Sequence, residues 1–337
     1  LIINKIRKVK LTMTNFKKIG LTALAASLVS VSAANAGEVT ASASASINSE
    51  GHSGEQLDGG TTFSMANSVT LAGSGELDNG MTVSVSFELD DSSANGTSSP
   101  FDNHSVTVSS DAMGTLVFAG HGGSSSVGAI DTTAAGDMWD NFDDLVTGGT
   151  TIADAITTNT NGDDAFLYTS PSFAEGLNFT ASYNPQATNS VGSEIGYGVN
   201  YTGFEGLTLN YATMDIESGT DSTDGDVDVI KASYAYGPVT ATYSNLDYDV
   251  SATGTAKETI SYAISYTVTD DLSITYGAEE HERANSSNDI EIDGISIAYT
   301  TGGVTISAAT QSGENFNHST SSNLDVDYWA LGASFAF

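Results

Sequence analysis

Beyond Ala36 the sequence has no apolar run long enough to cross a bilayer as a helix, yet it alternates apolar and polar residues in one short segment after another. A spanning helix needs about 20 apolar residues. Inside lipid only helices and closed barrels satisfy every backbone group. Any membrane-crossing form of this chain must therefore be built from strands. Met81, Val83, Val85, Phe87 and Leu89 share one face of the first clear segment. Leu177, Phe179, Ala181 and Tyr183 share another, as do Ile195, Tyr197, Val199 and Tyr201, then Ile260, Tyr262, Ile264 and Tyr266. The opposite face is mostly Ser, Thr, Gly and Asn. Period-two patterning of this kind marks strands with one apolar face. A sandwich would turn that face inward and a membrane barrel would turn it to lipid.

The connections separate the two. Tight turns such as Asp78-Asn79-Gly80, Asp111 to Gly114, Gly203 to Gly206, Gly237-Pro238 and Thr301 to Gly303 alternate with longer polar stretches, Asp91 to Asn103 and Gly313 to Asp325 among them. Short turns on one rim and long loops on the other characterise membrane barrels. Sixteen segments can be counted, starting near Glu38, Thr61, Met81, His104, Thr115, Asp163, Leu177, Glu194, Leu207, Val227, Val239, Glu258, Leu272, Asp289, Val304 and Val326, with fourteen or eighteen as neighbouring alternatives. In the fourteenth, Ile290 and Ile292 fall out of phase with Ile295, Ile297 and Tyr299, which suggests a β-bulge at Asp293-Gly294. Tyrosines near strand ends (Tyr168, Tyr201, Tyr236, Tyr266, Tyr299) fit an interfacial aromatic girdle.

The N-terminus reads as an export signal. Lys17 and Lys18 precede the apolar stretch Ile19 to Val31, and Ala34-Asn35-Ala36 is an A-x-A cleavage site. Residues 1–36 are expected to be an extension plus a removed signal, with Met13 as the start and cleavage between Ala36 and Gly37. Residues 37–337 would form the barrel. All 42 acidic residues follow Ala36, where the only basic residues are Lys231, Lys257 and Arg283, a balance of −39. Such a surface repels nucleic acid and attracts cations.

The last strand ends Trp329, Leu331, Ala333, Phe335, Phe337 on one face, which resembles the C-terminal assembly signal of outer-membrane barrels. The stretches TLVFAGHGGSSSVGA (Thr115 to Ala129) and DAFLYTSPSFAEGLNFTASY (Asp164 to Tyr183), with the last strand, resemble the alphaproteobacterial general porins of the Rhodobacter type. The resemblance implies an all-β, 16-stranded antiparallel transmembrane β-barrel with a constriction loop folded into the lumen. It further implies a homotrimer in outer-membrane lipid, inserted by the barrel-assembly machinery. Its work would be passive diffusion of small hydrophilic solutes and ions. The implied constriction loop runs from about Gly122 to Gly162, and GDMWDNFDDL (Gly136 to Leu145) within it suggests a short helix. Its carboxylates Asp131, Asp137, Asp140, Asp143, Asp144 and Asp154 are the candidate pore lining. Acidic rings favour cations, and with the −39 balance this predicts cation selectivity. Such porins set a basic cluster on the opposing wall, and this chain departs from that pattern. Lys231 falls on the inward register and is the one candidate wall cation, while Lys257 and Arg283 fall at strand ends, near the rim.

No chemistry competes with this reading. There is no cysteine, the five histidines have no metal-ligand spacing, and no nucleophile triad stands out, so neither catalysis, nor a metal site, nor a cofactor is expected. Asp221 to Asp228 (DSTDGDVD) lacks the closing glutamate of an EF-hand, which leaves at most weak divalent-cation binding by an acidic loop. Two other functions remain: an acidic secreted surface or adhesion β-protein, calcium-stabilised, and a substrate-specific channel on the same barrel.

Overall fold

The computed structural model describes residues 29–31, 39–55, 57, 60–90, 101–147, 149–152, 163–185, 192–217, 224–250, 256–321 and 324–337. Ala34, Ala36 and Asp154 lie outside these residues, as do the first three of Asp221 to Asp228.

Sixteen strands form the wall. They are β1 (Val39–Gly54), β2 (Thr61–Glu76), β3 (Thr82–Asp90), β4 (His104–Ser110), β5 (Gly114–His121), β6 (Ala165–Thr169), β7 (Leu177–Asn184), β8 (Ser193–Tyr201), β9 (Leu207–Glu217), β10 (Gly225–Tyr236), β11 (Val239–Val250), β12 (Lys257–Thr269), β13 (Leu272–Arg283), β14 (Ile290–Thr301), β15 (Val304–Glu314) and β16 (Val326–Ala336). Each pairs antiparallel with its neighbour in sequence, and β16 returns to β1 from Val326↔Gly54 to Ala336↔Ser44. The sheet is thus a closed sixteen-stranded barrel without a free edge. Phe337 completes the seam, since its N–H donates to the Ala43 carbonyl at 2.9 Å and its carbonyl accepts from Ala43 N–H at 3.1 Å. A further short strand, Val29–Val31, pairs with Val39–Ala41.

The hairpins explain the even strand count. On one rim the links 237–238, 270–271 and 302–303 hold two residues each. Gly302 and Gly303 both take positive φ (56° and 84°), the left-handed pair that a tight hairpin requires. The other rim carries the long links, 122–164 and 315–325 among them.

Toward the short-turn rim the outward face is apolar. Ile230, Tyr234 and Tyr236 on β10, Ile264 and Tyr266 on β12, and Ile295, Ile297 and Tyr299 on β14 are all exposed there. In a soluble protein such a surface would be a liability, whereas in lipid it is the favourable arrangement.

Toward the long-loop rim the pattern inverts. On β9 to β14 the outward positions become acidic: Asp215, Glu217, Asp226, Asp228, Asp247, Asp249, Glu258, Glu280, Glu282, Glu291 and Asp293. Their neighbours Met214, Val227, Val229, Leu246, Ile290 and Ile292 turn inward and are buried. The expected bulge at Asp293-Gly294 is absent. The β13–β14 register runs unbroken from Leu272↔Tyr299 to His281↔Ile290. Ile290 and Ile292 are out of phase because they point into the barrel, not because the strand slips.

Candidate functional site

What buries these inward residues is the link between β5 and β6, which enters the barrel and runs across its inner wall. Val127 and Ile130 pack on Ala212, Met214, Val227, Val229 and Leu246 of β9 to β11. Farther on, Met138, Trp139, Phe142 and Ile152 join Ile290 and Ile292 of β14, Phe316 and Leu324 of the 315–325 link, and Val326 and Tyr328 of β16. Phe142 stacks near Phe316 at 5.0 Å between ring centres, and Trp139 lies edge-on to Phe316 at 5.6 Å and to His281 at 5.4 Å.

A polar seam runs between the two apolar seats. Ser126 N–H donates to Ser182 Oγ at 2.9 Å, and Ala134 N–H donates to Ser261 Oγ at 2.7 Å. Ser244 Oγ donates to the Thr132 carbonyl, Met138 N–H to Glu279 Oε1 at 3.0 Å, and Asn141 Nδ2 to Gln311 Oε1 at 3.0 Å. The link is therefore fastened at several strands from β7 round to β15, and again at β1, where His52 Nε2 lies 2.7 Å from the Asn141 carbonyl. Gly277 on β13 permits the close approach, because a Cβ there would collide with that of Ala135.

The expected short helix is reduced to a single turn. Trp139–Asn141 makes one 3-10 turn, bracketed by left-handed residues at Gly136, Asp137 and Asp144 (φ 87°, 53° and 61°) that cannot continue a helix. The turn is amphipathic instead. Met138, Trp139 and Phe142 are buried against the wall, while Asp137, Asp140, Asp143 and Asp144 are exposed.

The acids have distinct surroundings. Asp137 is open to solvent at its tip and crowded by protein around it. Desolvation, reinforced by the nearby Glu279 and Asp140 charges, pushes its carboxyl up to about 6. Asp140 is raised for the same first reason, with Asp143 and Glu279 adding to it. Behind them Glu279 is fully buried and faces His281 Nε2 at 3.5 Å. Lys231 projects inward from β10 and its ammonium reaches Asp131 Oδ2 at 3.0 Å. Lys257 and Arg283 stand opposite each other at the outer ends of β12 and β13.

The inward face of β1 to β4 is hydroxyl-rich, with Ser44 Oγ and Ser68 Oγ 2.9 Å apart. Its carboxylates are Glu50 on β1, Glu76 on β2, and Glu88 and Asp90 on β3. On the outside, Glu280, Glu282 and Asp289 bring one oxygen each within 4.8 Å of the others. Sequence reasoning missed the two apolar seats and the seam. The signal for them was the phase inversion at the outer ends of β9 to β14.

A family model described as Gram-negative porin matches residues 20–300. The chain belongs to this porin family. Solved structures agree in fold. An anion-selective porin from Comamonas acidovorans superposes with a TM-score of 0.68 at 13% identity, covering 89% of this chain and 99% of that one. Salmonella typhi OmpF, in complex with daunomycin, gives 0.67 at 14% identity, covering 92% and 100%. A mutant of Rh. blastica porin gives 0.61 at 17% identity, covering 89% and 100%. No curated protein sequence matches. The porin is thus a passive outer-membrane channel rather than an enzyme, with its apolar belt in lipid and its long loops on one rim.

Proposed function

We propose that this porin is a cation-preferring diffusion channel for small hydrophilic solutes and that the inserted 122–164 link is its constriction. The observation that carries the reading is the orientation of that link. Its apolar residues are buried against β9 to β16 and its carboxylates Asp137, Asp140, Asp143 and Asp144 are left facing the water. Glu50 stands beside the seat, accepting from Tyr328 OH, and Glu88 and Asp90 lie farther round the wall on β3 among hydroxyls. Carboxylates along a narrow aqueous path raise the local cation concentration. The fold does not decide the sign of selectivity, because the Comamonas acidovorans relative is anion-selective.

The test is the reversal potential of the refolded mature porin in a planar bilayer under a salt gradient. A cation-favouring potential is expected, and an anion-favouring one overturns the reading.

Two further parts belong to the same proposal. The outward faces of β1 to β8 carry no acid among the described residues, and on β2 Phe63 and Met65 are 78% and 67% exposed. This face supports packing against a second and third copy in a homotrimer, which cross-linking in mild detergent would detect. Removal of the segment ending Ala34-Asn35-Ala36 would free β1, and outward Trp329, Leu331 and Phe337, with Phe335 beside them, would present the closing strand to the assembly machinery.

A further inference from the structure

We propose that Lys231 is a positioning residue: it bolts the constriction to the wall and does not act as a free wall cation. The inference rests on the channel reading above. An ammonium has three N–H donors, and here three acceptors meet it: the Asp131 carbonyl at 2.7 Å, Asp131 Oδ2 at 3.0 Å and the Thr133 carbonyl at 2.7 Å. The side chain is only 13% exposed. Its charge is matched at contact distance by a carboxylate, so little of it reaches a passing ion.

The backbone around the bolt is built for it. Asp131 takes a left-handed conformation at φ 59°, uncommon for a residue with a side chain. The result is that three successive carbonyls, of Asp131, Thr132 and Thr133, all accept hydrogen bonds from the wall, the middle one from Ser244 Oγ. Carbonyls turned the same way repel one another, and a cation between the outer two relieves that repulsion. The bolt also sits at a mechanically critical point. It lies between the seat of Val127 and Ile130 and the fastening of Ala134 to Ser261, and farther from the aromatic cluster around Trp139. Without it, Asp131 to Thr133 would expose two unpaired carbonyls and a bare carboxylate to a confined space, and that stretch would leave the wall.

The two roles predict different currents. Loss of a free wall cation shifts the reversal potential toward cations and leaves the open level steady. Loss of a bolt splits the single open level into fluctuating sublevels. The chain has no cysteine, so a reversible clamp can be introduced cleanly at Ala134→Cys with Ser261→Cys, positions joined by the 2.7 Å bond.

The experiment compares the porin, Lys231→Met, and Lys231→Met carrying the cysteine pair, each shown to be folded by heat-modifiable gel mobility. Lys231→Met is expected to lose the steady level with a several-fold rise in current variance. Oxidising the cysteine pair should restore a steady level, and reductant should abolish it again. If Lys231→Met fails to fold, Lys231→Gln, which keeps two donors, takes its place with the same expectation in weaker form. A steady Lys231→Met or Lys231→Gln channel with only a shifted reversal potential overturns the proposal, as does noise that the oxidised pair does not quiet. A silent unsubstituted protein would instead refute the channel reading, so the two failures are distinguishable.

Discussion

Phe142 is the side chain on which the seating of the inserted β5–β6 link should depend most. It is wholly buried, and its ring meets Phe316 at 5.0 Å, Tyr328 at 6.1 Å and His52 at 6.2 Å. Truncating a buried Phe to Ala costs about 3–5 kcal/mol. The cavity left by Phe142→Ala would border lumen water and could fill, so the lower end, about 3 kcal/mol, is the better estimate. Each ~1.4 kcal/mol is a tenfold change in an equilibrium. The unseated fraction should therefore rise on the order of 100-fold. Phe142→Leu, which keeps most of the volume, should cost about 1–1.5 kcal/mol and give roughly a tenfold rise. Native-state hydrogen exchange reads this equilibrium directly. The reporters are the amides of Ala134 and Met138, which donate to Ser261 Oγ and Glu279 Oε1 on the wall. They should exchange on the order of 100-fold faster in Phe142→Ala, while amides within the β11–β12 ladder keep their rates. Unchanged reporters would show that the aromatic cluster does not hold the link. Equal acceleration in β11 and β12 would show that the link and the wall open together, which refutes the idea of a separately seated element.

Three other outcomes follow from the geometry. With its carboxyl raised from 3.8 to about 6, Asp137 takes up a proton between neutral pH and pH 5; cation preference should weaken with a midpoint near 6, and Asp137→Asn should remove the step. By linkage, a seated link binds that proton more readily than a solvated one, so the Ala134 amide should exchange more slowly as pH falls from about 7 toward 4 once the intrinsic pH dependence is divided out. Gly277→Val should drive Ala135 off β13 and reproduce the noisy current expected of Lys231→Met, whereas Gly75→Val, with open space around it, should leave the current steady. Glu280→Gln with Glu282→Gln should raise the melting temperature at low salt and do little at high salt, because the pair sits in a band of like charge on the outer surface that salt screens.

Much of the barrel was legible because alternation and turn chemistry agree strand by strand. Every strand begins within two residues of the position that periodicity marks, and several tight turns fall where Gly supplies positive φ, as at Gly237 and Gly302-Gly303. The reading failed where one assumption failed, that apolar residues always face lipid. Ile290 and Ile292 were assigned to a bulge because the strand was taken to keep one polarity along its length. The same inversion appears in Asp226 to Ile230, where Val227 and Val229 are buried inside, Asp226 faces out, and the next outward residue after Asp228 is the exposed Ile230. One such break looks like a slip. Its recurrence on adjacent strands is a tertiary signal, since something inside the barrel must be covering those apolar side chains. Among the described residues the β5–β6 link does it, through Val127, Ile130, Met138, Trp139 and Phe142, helped by Phe316 and Leu324 of the 315–325 link. The helix expected at Gly136 to Leu145 shrinks to one 3-10 turn for a local reason: its spacing of aromatics and carboxylates suits an amphipathic helix, but Gly136 and Asp137 before the turn and Asp144 after it take left-handed conformations that stop a helix on both sides.

The inversion also changes what the net charge means. A balance of −39 beyond Ala36 suggests a lumen crowded with acid, but eleven of those acids stand on the outer surface of β9 to β14, beyond the wall from the conducting path. Low-dielectric strands and lumen water separate them from a permeating ion, and in 0.1 M salt the field of an exposed charge fades over about 10 Å. They bias the mouth of the channel and leave its narrowest part to nearer groups. Among the described residues selectivity would then rest on few charges: Asp137, Asp140, Asp143 and Asp144 on the link, and Glu50, Glu76, Glu88 and Asp90 on the inward face of β1 to β3, with the Lys231 charge already matched by Asp131. A property that composition assigns to dozens of residues thereby narrows to fewer than ten. Neutralising Glu88 and Asp90 together should move the reversal potential more than neutralising Glu280 and Glu282, though both pairs remove the same charge. An equal shift from the two pairs would mean that the outer band reaches the pore after all, and that the wall does not isolate the lumen electrostatically.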